Sequence, residues 1–390
     1  MTRRENFLRA LRRQPHDYPP AYFPIDNFNL PGGLPAGLID RDRLAAYDNP
    51  EQIVEASRFL GLDAVVRITP SVVTSSSAPV VRDLEEGRQE TVWHTSRGAL
   101  RQVAEASQTG ETRFIIEHPV RELQDYERLL ALLESTTFAV SSTGISESGR
   151  YLQTVRADGI AYAVGPATPI MDLTRSWVGL ERFVYHQADE PGLVGTVLDA
   201  MAERAFQQYE LIAEHTPCEV MVLWDDANAL SLSRSLFERY SLPVLRRYAE
   251  ITHRHGKILV NHTCGKIDAF LDLYAQTGND AIDWLTPPPT GDVEPRRARD
   301  VLGNRLAVQM ALLPAVLRYG SAAEVSAHAE RILSEWRSAS STGDGDGFVL
   351  MAPTPNGTPA ENVQAVVRVL AERGFPLNRS REHGCIVEGR

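Results

Sequence analysis

Several common signatures are missing from this 390-residue chain, and each absence removes a class of function. No apolar run reaches the roughly 18–20 residues needed to span a bilayer, so no transmembrane helix is expected. Cysteine is scarce. Cys218, Cys264 and Cys385 are widely separated and odd in number, which makes no disulfide framework and points to a reducing, cytoplasmic setting. No Gly-x-Gly-x-x-Gly follows a strand-like segment, which argues against a dinucleotide fold. The Gly-rich stretch 340–347 lacks the Gly-Lys-[Ser/Thr] ending of a phosphate loop and the Glu of a calcium loop, and reads as a solvated connection. An excess of positive charge is absent too. The net charge of -11 disfavours nucleic acid, whose binding depends on displacing counterions with Lys and Arg.

What remains is a chain with 43% apolar residues, enough for a large core. Thr2 and Glu5 form a capping-box pair ahead of Phe7, Leu8 and Leu11 on one helical face. The arginines of this segment read as a solvated face, and it has no apolar core of the kind a secretory signal needs. Residues 17–35 are rich in Pro and Gly and read as a surface loop. Short β segments follow at 63–68, 91–94, 98–103 and 113–118, with a helical period at 125–135. From residue 158 the pattern becomes regular. Strands are expected at 159–165, 218–224, 258–261, 281–285, 305–310 and 347–351, alternating with helices such as 236–255, 267–276, 322–339 and 359–374. The alternation predicts parallel βα units and a (β/α)8 TIM-type barrel with N-terminal helical and short β additions. One domain would span 1–376, with the additions and first barrel elements in 1–135 and regular units in 158–376. A polar tail would occupy 377–390.

In such a barrel, chemistry gathers at the C-terminal ends of the strands. There the chain places His262-Thr-Cys264, an imidazole and a thiol two residues apart. This pair can seize a soft metal ion, or be an inert turn. Asp225 and Asp226 follow the strand 218–224. Adjacent strand residues point to opposite sides, so at most one enters the barrel mouth unless the chain bends. Either can serve as a general acid or base, anchor a hydroxyl, or cap the next segment. Asn228 is a further polar candidate, and Asp292 is either a substrate contact or a helix cap. Tyr22, Phe23, Phe28, Trp93 and Trp177 lie in or near loops and read as pocket walls or as scattered aromatics. His186, His215, His253 and His255 fall on helical segments and receive no role.

Taken in order, Thr2-Arg-Arg-Glu-Asn-Phe, Gly98-Ala-Leu, Glu117-His-Pro-Val, Trp224-Asp-Asp, His262-Thr-Cys-Gly, Thr286-Pro-Pro-Pro-Thr-Gly-Asp and Gly357-Thr-Pro-Ala-Glu-Asn resemble the uroporphyrinogen decarboxylase superfamily. The resemblance covers nearly the whole chain and implies a (β/α)8 barrel. The decarboxylase branch holds an acidic porphyrinogen with an Arg-rich N-terminal segment and an Asp. Residues 19–38 contain no Arg, and Asp26 alone matches the acid. The methyltransferase branch holds zinc with a His-x-Cys pair, a distant Cys and sometimes a carboxylate. His262 and Cys264 match the pair. The distant Cys would fall near Ala352, where none stands, so Asp283 on the next strand becomes the expected third ligand, with Cys385 a remote alternative. The resemblance thus implies a cytoplasmic enzyme transferring a methyl or alkyl group of a small-molecule substrate at a zinc on His262, Cys264 and Asp283. Its methyl partner would be a corrinoid on a separate protein, since no Asp-x-His-x-x-Gly motif occurs, and a homodimer is the default assembly. Two alternatives stand beside it: a metal-free lyase with Asp225 or Asp226 as proton donor, and a non-catalytic barrel homologue.

Overall fold

The computed structural model describes residues 1–26, 28–45, 49–75, 78–107, 112–338 and 347–377. Cys385, the expected tail past Leu377 and residues 340–346 of the Gly-rich stretch lie outside the described residues. Eight strands form one parallel sheet: β1 (Ala21–Tyr22), β2 (Ala64–Ile68), β3 (Gly159–Gly165), β4 (Val220–Trp224), β5 (Ile258–His262), β6 (Ala281–Leu285), β7 (Ala307–Ala311) and β8 (Phe348–Met351). Neighbours run β1-β8-β7-β6-β5-β4-β3-β2. The seam between β1 and β2 is closed by the buried Asp63, whose backbone N–H donates to Ala21 O at 3.1 Å and whose Oδ2 accepts Ala21 N–H at 3.0 Å. The result is a nearly closed TIM-type barrel, as the alternating pattern implies.

β1 corrects the expectation for residues 17–35. The segment was expected to be a surface loop, yet Ala21 and Tyr22 are buried and pair with Leu350 and Met351. Two residues carry no period, so the flanking prolines hide the strand. Gly159 is required where β3 meets β2, because a Cβ there would stand 1.7 Å from Ala64 O.

Strand alternation sorts the core into two layers. Val220 and Val222 of β4, Ile258 and Val260 of β5, and Ala307 and Ala311 of β7 belong to the inner cluster. Met221, Leu223, Leu259 and Val308 belong to the outer one, beside helical residues such as Leu198, Leu245, Ile332 and Val366. Helix α1 (Arg3–Leu11) seals the N-terminal end with Phe7, Leu8, Ala10 and Leu11. Its capping box is complete, with Thr2 and Glu5 satisfying each other's backbone N–H groups. The arginines of this helix were expected to face solvent; Arg9 does, but Arg3 and Arg4 are partly buried. Arg3 donates to Asp63 Oδ1 at 3.1 Å and to Gly61 O at 2.7 Å, and Arg4 pairs with Glu219. Long side chains laid over an apolar plug satisfy polar groups at the rim of the seal.

The additions are an antiparallel sheet of Val80–Asp83, Arg88–Thr95, Gly98–Ala106 and Arg113–Glu117, and a pair formed by Val72–Ser75 and Thr137–Val140. Among the described residues, no helix is long and apolar enough to cross a membrane.

Candidate metal centre

The register of three adjacent strands builds the site. Trp224 of β4 pairs with His262 of β5, which pairs with Asp283 of β6, so their side chains stand level at the C-terminal rim. Beyond Trp224, the N–H groups of Asp225 and Asp226 both donate to His262 O, at 3.1 and 3.3 Å. Asp226 adopts a left-handed backbone (φ 56°), a conformation costing about 1–2 kcal/mol for an L-residue. The bend separates the two acids. Asp225 is fully buried and accepts the N–H and hydroxyl of Thr168 at 2.8 and 2.6 Å. Burial pushes its pKa up to about 6, against the pull of those Thr168 bonds. Asp226 turns into the barrel mouth instead.

There it meets the His-x-Cys pair. Asp226 Oδ1 accepts from Cys264 Sγ at 3.1 Å and Cys264 N–H at 3.3 Å, and lies 3.6 Å from His262 Nε2. The carboxylate, imidazole and thiol donor atoms all fall within 4.8 Å of one another. This changes the expected ligand set, because Asp283 stands behind the histidine. Its Oδ1 is 2.9 Å from His262 Nδ1, on the side of the ring away from Cys264 and Asp226. A β-bulge between Ile282 and Leu285 brings both Asp283 and Trp284 to the cavity wall, which strict alternation forbids. Burial alone would discourage a proton on His262, but Asp283, Cys264 and Asp226 outweigh it and raise the pKa to about 10. Burial and the Asp226 carboxylate likewise raise the Cys264 thiol, against the opposing pull of His262.

The centre opens into a cavity of about 520 Å³ with largely apolar and aromatic walls, including Tyr22, Phe28, Tyr162, Trp224 and Trp284. Two cations on its wall escaped the sequence reading. Arg175 donates to Asp226 Oδ2 at 3.2 Å and to Trp224 O at 3.3 Å. It sits on a π-helical turn, Leu173–Val178, a distortion common at functional sites. Arg67 projects from β2 and lays its guanidinium 4.4 Å from the centre of the Trp224 ring. Its signal was present in the sequence: a charge inside the apolar strand Ala64-Val-Val-Arg-Ile, rather than at the strand's end.

The other candidates are placed differently. Asp26 lines the cavity, but its carboxylate accepts the N–H groups of Phe28 and Asn29 and so holds its own turn. Asn228 braces the rim by donating to Asp226 O at 3.0 Å. Asp292 Oδ1 accepts from Ile267 and Asp268 N–H at 2.8 and 3.1 Å, where the chain enters the short turn Asp268–Phe270 after the His-x-Cys segment. Ala352, where a distant Cys was expected, is buried in the outer core. Phe23 is a core residue. Trp93 and Trp177 contact each other at 5.3 Å between ring centres and line a second cavity of about 490 Å³ with Asp172 and Arg204.

The donor set fits a metal ion of the zinc type. Zinc accepts nitrogen, sulfur and carboxylate oxygen together, and a catalytic site uses three protein ligands with one position left over. His262 would bind through Nε2, with Asp283 on Nδ1 fixing the ring, the arrangement that metal-ligating histidines favour.

A parallel barrel with these groups on its C-terminal rim defines an α/β-barrel protein of the kind that carries enzyme sites. More specifically, the chain belongs to the uroporphyrinogen decarboxylase family, whose model, described as Uroporphyrinogen decarboxylase (URO-D), matches residues 108–373. A curated uroporphyrinogen decarboxylase from Syntrophotalea carbinolica is 29% identical over 164 residues, covering 42% of this chain and 44% of that protein. The chain therefore matches less than half the length of that relative. Among solved structures, a methyltransferase from Methanosarcina mazei superposes with a TM-score of 0.61 at 18% identity, covering 96% of this chain and 99% of that one. It shares the fold. A B12-independent methionine synthase from Shewanella sp. W3-18-1 aligns at 9% identity over 91% of this chain and 98% of that one, with a TM-score of 0.44.

Proposed function

We propose that this protein transfers a methyl or alkyl group at a zinc-type centre held by Asp226, His262 and Cys264. The observation that carries the reading is the convergence of three chemically different donor atoms within 4.8 Å at the mouth of a cavity. Support comes from the fold shared with a protein named a methyltransferase. A bound divalent ion supplies Lewis-acid polarisation of a thiol or of the group leaving the methyl. The chain's own residues prepare that step. Asp283 holds His262 Nδ1, so Nε2 faces the cavity. Arg175 holds Asp226 Oδ2, so Oδ1 faces Cys264. Trp224 and Trp284 flank the imidazole at 6.2 and 5.1 Å between ring centres and limit how far it can turn. The methyl partner is a corrinoid carried on a separate protein, and the chain works as a homodimer in a cytoplasmic setting.

The test is metal content. The purified protein should carry about one zinc per chain, as a three-ligand site implies. Cys264→Ala and Asp226→Ala should each lose it while the chain stays folded. Protein that takes up no zinc, and turns over unchanged as His262→Ala, defeats the reading.

One observation favours a second reading. The family match and the curated relative carry the name of a decarboxylase, and Asp226 faces the cavity beside Arg175. A metal-free lyase would use Asp226 to protonate the carbon that loses carbon dioxide. Turnover that survives chelation but not Asp226→Asn would select it.

A further inference from the structure

The second cavity, of about 490 Å³, opens where β3 ends in Gly165, Pro166 and Ala167. No residue lines both this cavity and the one at the candidate metal centre. Its aromatic wall joins Trp93 of the antiparallel addition to Trp177 of the turn after β3, with ring centres 5.3 Å apart. Leu132, Phe138 and Met201 add apolar surface. Two half-buried groups of opposite charge line the same space. Asp172 Oδ2 accepts from Trp177 Nε1–H at 3.1 Å, which holds the carboxylate beside the tryptophan pair. Among the described residues, nothing donates to its Oδ1 and no cation pairs with it. Arg204 uses one guanidinium nitrogen, Nη1, to donate to Gln207 Oε1 at 3.1 Å and to Thr136 O at 3.4 Å. Its Nη2 and Nε donate to no described residue, and no described carboxylate pairs with it.

Opposite charges on one wall attract, and they pair when they can reach each other. Asp172 and Arg204 line one cavity without pairing, so the open space holds them apart. A ligand with an ammonium at one end and a carboxylate at the other would satisfy both. The ammonium would meet Asp172 Oδ1 beside the two tryptophans, whose rings attract a cation. The carboxylate would accept from Nη2 and Nε of Arg204, the parallel donors that recognise it in bidentate fashion. The apolar residues between suit a short methylene chain. We infer that this cavity is a second ligand site, selective for a small zwitterion held between Asp172 and Arg204. The inference is independent of the reading of the metal centre, because the two cavities have no wall in common.

Calorimetric titration of the full chain tests this, with γ-aminobutyrate and ε-aminocaproate as zwitterions of two lengths. The matching alkylamines and alkanoates carry one charge each. At least one zwitterion should bind about tenfold or more tightly than both of its single-charge analogues, the value of one charge-assisted contact. Arg204→Gln should remove that advantage and leave the alkylamine unchanged, and Arg204→Lys should recover part of it. Asp172→Asn should weaken zwitterion and alkylamine alike. Cys264→Ala, at the metal centre, should alter none of these affinities. Equal affinity for each zwitterion and its analogues in the unaltered protein, or no binding at all, overturns the inference even if a variant fails to fold. So does unchanged zwitterion binding in a folded Arg204→Gln. Binding lost in Cys264→Ala but kept in Arg204→Gln places the ligand at the metal centre and overturns it too. If the zwitterion binds as expected but no zinc is taken up, the second site stands and the metal-assisted reading falls.

Discussion

At one end of the barrel, Phe7 and Leu11 of α1 close the interior with fully buried apolar side chains. At the other end, Asp226, His262 and Cys264 hold polar atoms together beside a cavity. The same strands run through both. The N-terminal seal follows the local rules of a helix: its cap is complete and its apolar residues share a face. The C-terminal rim breaks local rules, with left-handed backbone at Asp226 and Trp284, a bulge in β6 and a π-helical turn carrying Arg175. The difference teaches where stability and chemistry have been separated. Strain is tolerated at the rim because the seal and the outer helix layer over-determine the barrel.

The sharpest way to break this contrast is to disturb the seal. Phe7→Ala should destabilise the fold by about 3–5 kcal/mol, as truncation of a buried aromatic does. Chemical unfolding would measure the loss, and the zinc bound per folded molecule should stay unchanged. At the rim the order should reverse. Asp283→Asn should weaken zinc binding by about 10–100-fold, the usual effect of losing the group that orients a ligating histidine, with a small change in unfolding midpoint. A competition titration with a chromophoric chelator reads it. Asp292→Ala should cost about 1–3 kcal/mol, the loss of its charge-assisted bonds from Ile267 and Asp268 N–H, with zinc affinity preserved; a large loss of zinc there would move Asp292 into the site.

The smallest effect concerns pH, outside the metal centre. His328 Nε2 accepts the N–H of Leu313 at 3.0 Å, so the ring must stay neutral in the folded state. Burial, with Arg331 nearby, lowers its pKa to about 4. A folded-state pKa below the unfolded one means this stability is complete above about 6.5 and is lost as pH falls from there toward 4. Urea midpoints at pH 7 and pH 5 should differ less in His328→Gln than in the unaltered chain.

Much of the architecture was legible because it depends on local pattern. The helix at 125–135 and the strands 159–165 and 281–285 match the observed elements end to end. The parallel βα alternation led to the barrel, and His262 and Cys264 stood out because their spacing at a strand end is a chemical signal. Asp226 and Asp283 were both named, yet their places were not legible. Which acid joins the thiol depends on the bend after Trp224, and which backs the imidazole depends on the β5–β6 register. Arg67 and Arg175 were overlooked because neither sits at a strand end in the sequence. They reach the site from β2 and from a turn, across gaps in the chain of 159 and 51 residues from Asp226.

The amino-acid sequence by itself determined the helical plug, the alternation of strands and helices, and the presence of a thiol and an imidazole two residues apart. Each follows from periodicity or spacing within one short segment. Tertiary structure alone decided that Asp63 closes the barrel, that Asp226 meets Cys264 while Asp283 meets His262, and that an arginine lies on the Trp224 face. Those contacts join residues far apart in the chain, and their geometry is set by strand register, a bulge and one strained turn, which no local pattern encodes.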